Sequence, residues 1–518
     1  MSDGYLIGLD YGTESARGIL IDARSGEVVA SHAHAYRHGV MVHSLPAGTR
    51  LPSGWALQDA EDYTAAAAEL LSTLGRDKTI LGIGIDFTAS SPLPARADGT
   101  PLSALYPERP HAYVKLWKHR AAQPWADRIN ARGGAYLNNC GGRLSGEWLL
   151  AKAAQMAEEA PDLWEATERF IEGGDWLVWQ LTGNEARSLG LAAYKAQYQA
   201  GSGYPSDVVP HLRARLGPGE PIPIGASAGS LSEEWRRLTG IRGGAAIAAA
   251  VIDSHVVMPA VGAVRPGVLV LALGTSAVCL LLDDRARPLP QGIEGVAENG
   301  VLPGFWCYEA GQSAVGDTLA WFVRTFPRSG RLEDDFAWYN NAAAELQPGE
   351  NHLLALDWWN GNRVPYGDAA LSGLVVGLRL DTTAHEIYRC LLESTCFGAR
   401  TIVDRFVDGG VPINRVVLTS GLAQNNPLLV QLMADVLGRD VEVPRLVQPT
   451  AVGAAIHGAV AAKVVAGYAE GAARFGARDA LHYRPRVEAI APYERLYAEF
   501  RALSESTVIQ KVMHALGG

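Results

Sequence analysis

Apolar residues alternate with small or polar residues along residues 6–22, LIGLDYGTESARGILID. Ile7 and Leu9 precede a short polar stretch, and Ile19 and Ile21 follow it. A period of two residues is typical of a strand with one buried face. The pattern therefore predicts a hairpin of two half-buried strands joined by a tight, glycine-containing turn.

The turn of this first hairpin contains Asp10, Gly12, Thr13, Glu14 and Ser15. We expect the glycine to take a positive φ and to let the backbone approach a ligand closely. Exposed amides in such a turn form a nest for an anion, and an aspartate at the end of a strand can hold a hydrated divalent cation. The turn is thus a candidate polyphosphate site, and an ordinary hairpin turn is the alternative.

A second copy of the pattern lies at residues 268–283, where an apolar strand, Gly274-Thr275-Ser276 and another apolar strand follow one another. Either copy alone is explained as an ordinary hairpin. The pair, with Asp10 in the first copy, instead favours two similar domains that each offer a hairpin to one polyphosphate.

Two further apolar segments end in polar residues. Residues 80–86, ILGIGID, predict a buried strand that runs into a polar turn at 87–91, and open α/β sheets bind ligands at such strand ends.

Residues 245–264 have the length of a membrane span, but Asp253 lies near the middle, at a cost of about 2.5–3.5 kcal/mol in a bilayer. We predict a buried strand, a polar turn and a helix there.

Helical periodicity and helix-start signals predict most of the remaining elements. Asn426 followed by Pro427 is a helix start, because proline is favoured at the first helical position. Helices are predicted at residues 60–74, 111–130, 145–159, 164–181, 315–326, 385–406 and 450–465, and irregular segments at 32–55, 201–223 and 327–370.

Length and composition narrow the class of protein. A chain of 518 residues is too long to fold around a single hydrophobic core, so at least two domains are expected. The net charge of −10 argues against a nucleic-acid binder. Five scattered cysteines without Cys-x-x-Cys spacing, and an N-terminus unlike a signal peptide, predict a cytoplasmic protein with neither disulfides nor a zinc site.

The sequence excludes the commonest nucleotide motif, since no Gly-Lys dipeptide is present and a P-loop requires one. The protein-kinase signature Asp-Phe-Gly is also absent. The remaining interpretation is ATP held by hairpins and a hydrated metal, in the manner of actin. Phosphoryl transfer also needs a carboxylate that accepts a proton, and Asp253 is the candidate. An aspartate that only caps the following helix is the alternative.

Three residues on small, apolar backgrounds are candidates for sugar binding: Trp117, Lys195 and Glu309. A lysine and a glutamate in a polar cleft can hydrogen-bond sugar hydroxyls. Taken singly, a charged side chain is more often exposed at the surface, so the group of three carries the hypothesis.

Nine stretches of the chain together carry a resemblance to a known family: GLDYGTESAR (8–17), GIDFTASS (84–91), YVKLWKHRAA (113–122), AAYKAQY (192–198), IDSHVVMPAVGA (252–263), LGTS (273–276), PGFWCYEAGQSAVGD (303–317), DWWNGNR (357–363) and SGLAQNN (420–426). With them the chain resembles the FGGY carbohydrate kinases over essentially its whole length and, within that family, is most similar to the L-ribulokinases. Small departures stand at Ser254, Cys390 and Ser420.

The resemblance implies an α/β fold of two actin-like, ribonuclease H-like domains with a catalytic cleft between them. Residues 1–258 would form the sugar-binding domain and residues 259–518 the nucleotide-binding domain. Implied roles are general base for Asp253; magnesium binding for Asp10 and Asp253; phosphate binding for Gly12, Thr13, Glu14, Gly274, Thr275 and Ser276; adenosine binding for Gly421, Asn425 and Gly453; and sugar binding for Ala89, Trp117, Lys195, Asp253 and Glu309.

The implied reaction is transfer of the γ-phosphate of ATP, with Mg²⁺, to the terminal hydroxyl of L-ribulose in arabinose catabolism. Another pentulose or pentitol, such as D-ribulose, xylulose or ribitol, is the alternative substrate. A non-catalytic actin-like ATPase would need no sugar-binding residues, and a sugar-responsive regulator would need a DNA-binding segment before Leu6. We expect neither a nucleic-acid nor a membrane partner, and a homodimer is the assembly to test.

Overall fold

The structure is a computed structural model that describes residues 4–205 and 208–516. Its contacts define two compact units, each assembled from three segments of the chain. The first unit comprises the chain up to Val264 together with Val296–Cys307 and Leu446–Ala477, and the second comprises Arg265–Gly295, Tyr308–Arg445 and the chain from Arg478 onward. Residues 446–477, which are expected in the second domain, pack within the first unit.

The strands are, in chain order, β1 Tyr5–Tyr11, β2 Ser15–Asp22, β3 Val28–Ala35, β4 Leu57–Gln58, β5 Ile80–Phe87, β6 Pro92–Ala95, β7 Val114–Lys115, β8 Arg169–Glu172, β9 Ser227–Ser230, β10 Ala246–Ala248, β11 Val251–Ile252, β12 Val268–Leu273, β13 Ala277–Asp283, β14 Gly295–Glu298, β15 Trp306–Gln312, β16 Leu354–Leu356, β17 Leu374–Val376, β18 Arg415–Thr419, β19 Val441–Pro444 and β20 Ala480–Tyr483.

The α-helices are α1 Ala60–Gly75, α2 Leu102–Leu105, α3 Gln123–Arg132, α4 Leu149–Glu159, α5 Pro161–Ala166, α6 Gly173–Thr182, α7 Leu189–Lys195, α8 Leu212–Arg215, α9 Glu233–Thr239, α10 Asp253–Ala260, α11 Gly316–Thr325, α12 Leu332–Ala344, α13 Ala384–Asp408, α14 Gly421–Asn425, α15 Pro427–Leu437, α16 Pro449–Ala461, α17 Tyr468–Phe475, α18 Val487–Ser504 and α19 Thr507–Leu516.

Both units are built on the same strand arrangement. In the first unit the order is β3-β2-β1-β5-β10-β9, and in the second it includes β15-β13-β12-β18-β19-β20. Each has an antiparallel hairpin, β1–β2 or β12–β13, whose first strand pairs in parallel with a later strand, β5 or β18. The two strand–Gly-Thr–strand hairpins therefore occupy equivalent places in two similar α/β domains, as the repeat predicts.

Helix α16 packs against strands β1 and β5 of the first unit. Gly8 and Gly84 are register partners on these strands. A Cβ atom on either glycine would overlap with a backbone carbonyl oxygen of the helix, that of Ala451 or Ala454. The glycines of the two buried strands thus permit an unusually close approach, which brings the first turn of α16 to the carboxyl ends of the strands.

Several predicted elements are confirmed. Helices α1 and α13 match the predictions at 60–74 and 385–406, and Asn426 caps α15 by accepting a hydrogen bond of 3.0 Å from the Leu429 amide. Residues 245–264 form strands β10 and β11 and then helix α10. No helix within the described residues is long and apolar enough to cross a bilayer.

Four predictions of secondary structure are wrong. The segment 327–370, predicted to be irregular, contains helix α12 and strand β16. Residues 111–130 contain a 3-10 turn, strand β7 and only then helix α3, because Lys115 and His119, which look like a solvent-facing helix surface, are both fully buried. The single helix predicted at 164–181 is interrupted by β8, which pairs with β6. Strand β3 lies partly in the segment 32–55, which is predicted to be irregular.

Candidate active site

Three aspartates lie at the carboxyl ends of neighbouring strands in the first unit. Asp10 of β1 and Asp86 of β5 are register partners in a parallel pair. Val251 of β11 also pairs with Asp86, and Asp253 follows two residues later at the start of α10. Because parallel strands end at one edge of the sheet, this edge is the usual ligand-binding site of an open α/β sheet.

Asp86 is fully buried, and both its carboxylate oxygens lack a hydrogen-bond donor among the described residues. Burial raises the pKa of Asp86 well above its usual range, and the negative charges of Asp10 and Asp253 raise it further. A bound cation would relieve the same repulsion.

Thr450, in the first turn of α16, holds the Asp10 carboxylate from the other side. Its hydroxyl donates a hydrogen bond of 2.6 Å to Asp10 Oδ2. A hydrogen bond to an ionised acceptor stabilises the charged form. The packing of α16 on the sheet therefore has a direct consequence for the orientation of the acid at the end of β1.

Asp253 is the first residue of α10, and its Oδ1 accepts a hydrogen bond of 2.7 Å from the Ser254 amide. The amino end of a helix also stabilises a negative charge. The alternative of a helix-capping aspartate does not hold as stated, because the N-cap residue is Ile252 and the helix has no side-chain cap hydrogen bond; Asp253 instead binds the amide of the next residue. The same contact keeps the carboxylate at the strand edge, where its charge acts on Asp86.

The first hairpin turn is closed by a hydrogen bond of 3.1 Å from the Gly12 amide to the Ser15 carbonyl oxygen. Gly12 does not have a positive φ, so that expectation is wrong: the turn closes without a left-handed residue. Backbone atoms of the described residues offer no acceptor to the amides of Thr13 and Glu14. These two amides are the donors that the loop can present to an anion.

Two side chains fix Thr13 in this loop. Trp117 Nε1 donates a hydrogen bond of 3.0 Å to Thr13 Oγ1, and Gln58 Nε2 donates one of 2.6 Å to the Thr13 carbonyl oxygen. Trp117 is half-buried between β7 and α3 rather than on a helix. The structure therefore brings together a predicted phosphate-binding residue and a predicted sugar-binding residue.

Ala89 and Lys195 also belong to the first unit. Ala89 is half-buried in the turn after β5. Lys195 is buried at the end of α7, with Nζ 5.9 Å from the centre of the Trp148 ring. Burial raises the pKa of Glu172, and the positive charge of Lys195 partly offsets that effect. The Glu172 carboxylate accepts a hydrogen bond from Ser90, the neighbour of Ala89. Lys195 therefore lies in the same part of the unit as the turn after β5.

The second hairpin has an exposed turn in the second unit. The Gly274 amide donates to the Ser276 carbonyl oxygen at 2.9 Å. The carbonyl oxygens of Gly274 and Thr275 accept hydrogen bonds from the Gly316 and Val315 amides at the start of α11. The carbonyl groups of the turn are thus engaged by a helix, and its shape is fixed within the unit.

The other predicted residues differ in their surroundings. Glu309 is half-buried on β15. Gly421 and Asn425 are exposed in α14, where Asn425 Nδ2 donates to the Gly421 carbonyl oxygen at 2.8 Å. Gly453 of α16, in contrast, is buried, and a Cβ there would overlap with the Val256 carbonyl oxygen of α10. Gly453 therefore permits the close packing of α16 on α10, and its role in adenosine binding stays a prediction.

Sequence reasoning missed several residues that the structure places around the site: Asp86, Lys152, Glu172 and Thr450. For Asp86 a signal was present, since it ends a buried strand and precedes polar residues. The other three contact the site only through distant parts of the chain, and no local pattern indicates this.

The aspartates at the strand ends are better suited to a metal ion that keeps part of its water shell than to an ion coordinated by protein ligands alone. Within the described residues, no three His, Cys, Asp or Glu side chains are arranged to hold a metal directly. Magnesium usually keeps several waters and takes one or two carboxylates together with substrate phosphates. The carboxylates of Asp10 and Asp86 are candidate ligands of that kind.

Comparisons with known proteins agree with this geometry. Residues 269–462 match the model of the C-terminal domain of the FGGY family of carbohydrate kinases. Ribulokinase from Halalkalibacterium halodurans is 41% identical, with 98% of this chain and 95% of the relative covered. Ribulokinase from Mycolicibacterium smegmatis is also 41% identical, covering 97% and 93%.

A solved structure has the same fold. The xylulose kinase from Rhodospirillum rubrum superposes with a TM-score of 0.85, over 98% of this chain and all of that one, at 23% identity. The fold defines an α/β protein with two actin-like domains, as predicted. By its relatives the chain belongs to the FGGY family of carbohydrate kinases, and it is a sugar kinase.

Proposed function

We propose that this chain is an ATP-dependent kinase that phosphorylates the terminal hydroxyl of L-ribulose. The observation that carries the proposal is the set of acids at the ends of β1, β5 and β11, beside a turn that Trp117 joins to Thr13. The similarity to ribulokinases along nearly the whole chain supports ribulose as the substrate.

Asp253 is the proposed general base. Its carboxylate would accept the proton of the terminal hydroxyl while the hydroxyl oxygen attacks the γ-phosphorus, and ADP leaves. Because phosphoryl transfer has a loose transition state, the protein contributes mainly position and charge. The hydrogen bond from the Ser254 amide keeps one carboxylate oxygen oriented.

Magnesium is the proposed metal, with Asp10, Asp86 and Asp253 as the residues that would hold it, in part through water. When bound, the ion would neutralise phosphate charge. Thr450 orients Asp10 for this role, and the amides of Thr13 and Glu14 would bind phosphate oxygens.

The remaining roles follow the resemblance. Ala89, Trp117, Lys195 and Glu309 are the proposed sugar-binding residues. Gly274, Thr275 and Ser276 are proposed to bind phosphate, and Gly421 and Asn425 to bind adenosine. All five cysteines are free and buried, which supports a reducing compartment such as the cytoplasm.

A coupled ADP-release assay across pentuloses and pentitols tests the substrate. We expect kcat/KM to be highest for L-ribulose. Higher values for D-ribulose, D-xylulose or ribitol would assign the chain to another substrate in the same family. ATP turnover that no sugar stimulates would contradict a kinase and favour an actin-like ATPase.

A further inference from the structure

Lys152 of α4 is fully buried and binds three backbone carbonyl groups. Its Nζ donates to the carbonyl oxygens of Ser90 at 2.7 Å, Leu116 at 2.8 Å and Lys115 at 3.3 Å. An ammonium group has three N–H donors. All three are therefore used to join the turn after β5 to the segment after β7.

Glu172 of β8 holds the same turn from the other direction. Its carboxylate accepts hydrogen bonds from the Ser90 hydroxyl and, at 2.7 Å, from the Ser91 amide. Glu172 is also buried. Ser90 is thus fixed through its carbonyl group by a cation and through its hydroxyl by an anion.

The atoms that these two side chains bind are adjacent to two proposed sugar-binding residues. Ser90 directly follows Ala89, and Leu116 directly precedes Trp117. Trp117 in turn donates to Thr13 of the phosphate-binding turn. A shift of either backbone segment would therefore move Ala89 or Trp117.

The arrangement is costly for folding alone. Burial lowers the pKa of Lys152 and raises the pKa of Glu172, although the opposite charge of each partly offsets the effect on the other. Buried charged groups are often replaced by apolar residues without loss of stability. If Lys152 and Glu172 hold the geometry of the turn, this explains why two buried, charged side chains both bind Ser90.

We infer that Lys152 and Glu172 are positioning residues for sugar binding, which together hold Ala89 and Trp117 in place. The inference rests on the proposed function. Neither residue is assigned a contact with the substrate; both act through the backbone of the residues that contact it.

Two variants test the inference. Glu172→Gln keeps the shape but removes the charge and one of the two acceptor oxygens, so the Ser90 hydroxyl and the Ser91 amide can no longer both donate to the side chain. Lys152→Met keeps the length and removes all three donors. We expect either change to raise KM for L-ribulose roughly tenfold to a hundredfold, the scale of a small misplacement near the reacting groups, and to leave KM for ATP within about twofold.

A matched control is Arg389→Met in the second unit. Arg389 is also buried, and donates to Glu393 and to the Ala343 carbonyl oxygen. The control should lower Tm without changing KM for the sugar. Lys152→Arg, which keeps the charge and the donors, should recover part of the sugar affinity lost in Lys152→Met.

Calorimetric titration with L-ribulose in the absence of ATP separates binding from turnover. If Lys152→Met does not fold, Glu172→Gln decides the result. A folded Glu172→Gln protein with unchanged sugar affinity would overturn the inference, as would an equal loss of sugar affinity in Arg389→Met. Failure of the wild-type protein to phosphorylate any pentulose would instead refute the proposed function.

Discussion

The Thr450 hydroxyl donates a hydrogen bond to the Asp10 carboxylate across 440 positions of the chain. It can do so because α16 lies directly on Gly8 and Gly84, where no side chain separates the helix from the sheet. The orientation of an acid at the end of β1 thus depends on a helix near the other end of the sequence.

Thr450→Val removes this donor and keeps the shape of the side chain. Groups that orient a metal-binding residue typically contribute 10–100-fold to metal affinity or activity. We expect the Mg²⁺ concentration for half-maximal activity to rise about tenfold, as measured by Mg²⁺ titration of the ADP-release assay. Thr450→Ser keeps a hydroxyl and should resemble the wild type, whereas an unchanged titration in the valine variant would contradict the role of Asp10.

Gly84→Ala should destabilise the first unit. The added methyl group would overlap with the Ala454 carbonyl oxygen, which is backbone and cannot move aside. Overpacking of this kind typically costs 1–3 kcal/mol, so we expect the free energy of unfolding to fall by about 3 kcal/mol. Gly244→Ala is the control, since its Cβ would have open space; equal unfolding midpoints for both variants would contradict the packing argument.

Sequence patterns predict the hairpins and the strand that leads to Asp253 well, because period-two alternation and the glycine turns are local signals. They do not predict that helix α16 packs directly on Gly8 and Gly84. A glycine inside a strand indicates that a ligand or another backbone segment approaches closely. The pattern does not identify that segment, and the helix that approaches here begins only at Pro449. Long-range contacts of this kind leave no local trace.

Lys195→Ala should weaken sugar binding more than catalysis. The lysine is buried beside Trp148, and a ground-state contact with the substrate affects KM rather than kcat. We expect a raised KM for L-ribulose and a similar KM for ATP in steady-state kinetics. Lys511→Ala, at an exposed position, is the control, and an unchanged KM in Lys195→Ala would remove Lys195 from the sugar-binding set.

The buried side chain of Lys115 should make the free energy of unfolding depend on pH. Burial lowers its pKa to about 7, while in the unfolded chain a lysine titrates near its ordinary value of about 10.4. The cost of burying the charge is therefore full below pH 7 and declines as the pH rises through this window.

The measurement is the unfolding free energy of Lys115→Met relative to wild type between pH 6 and pH 10. We expect the difference to shift steadily in favour of the wild type as pH rises. Lys511→Met should show a flat difference, because its side chain is exposed. A flat profile for Lys115→Met as well would show that the buried lysine titrates normally.

The surroundings of Trp117 show why part of the site could not be predicted. Lys115 and His119 give the segment the polar face of an exposed helix, but both are buried and hydrogen-bonded, to the His111 carbonyl oxygen and to Gln155. A buried polar side chain that is hydrogen-bonded inside the protein has the same sequence signature as an exposed one. The position of Trp117 therefore became clear only from the structure.

Asp253→Asn tests the central claim most directly. The amide is nearly isosteric but is a poor proton acceptor, so the chemical step should slow by about 10²–10⁴-fold, the usual contribution of general-base catalysis. The loss should fall on kcat, with the KM for ATP little changed. The measurement is single-turnover phosphorylation of L-ribulose by a folded variant with an unchanged Tm. A rate within a few-fold of the wild type would show that Asp253 has only a structural role at the start of α10, and Glu309 would then be the acid to examine.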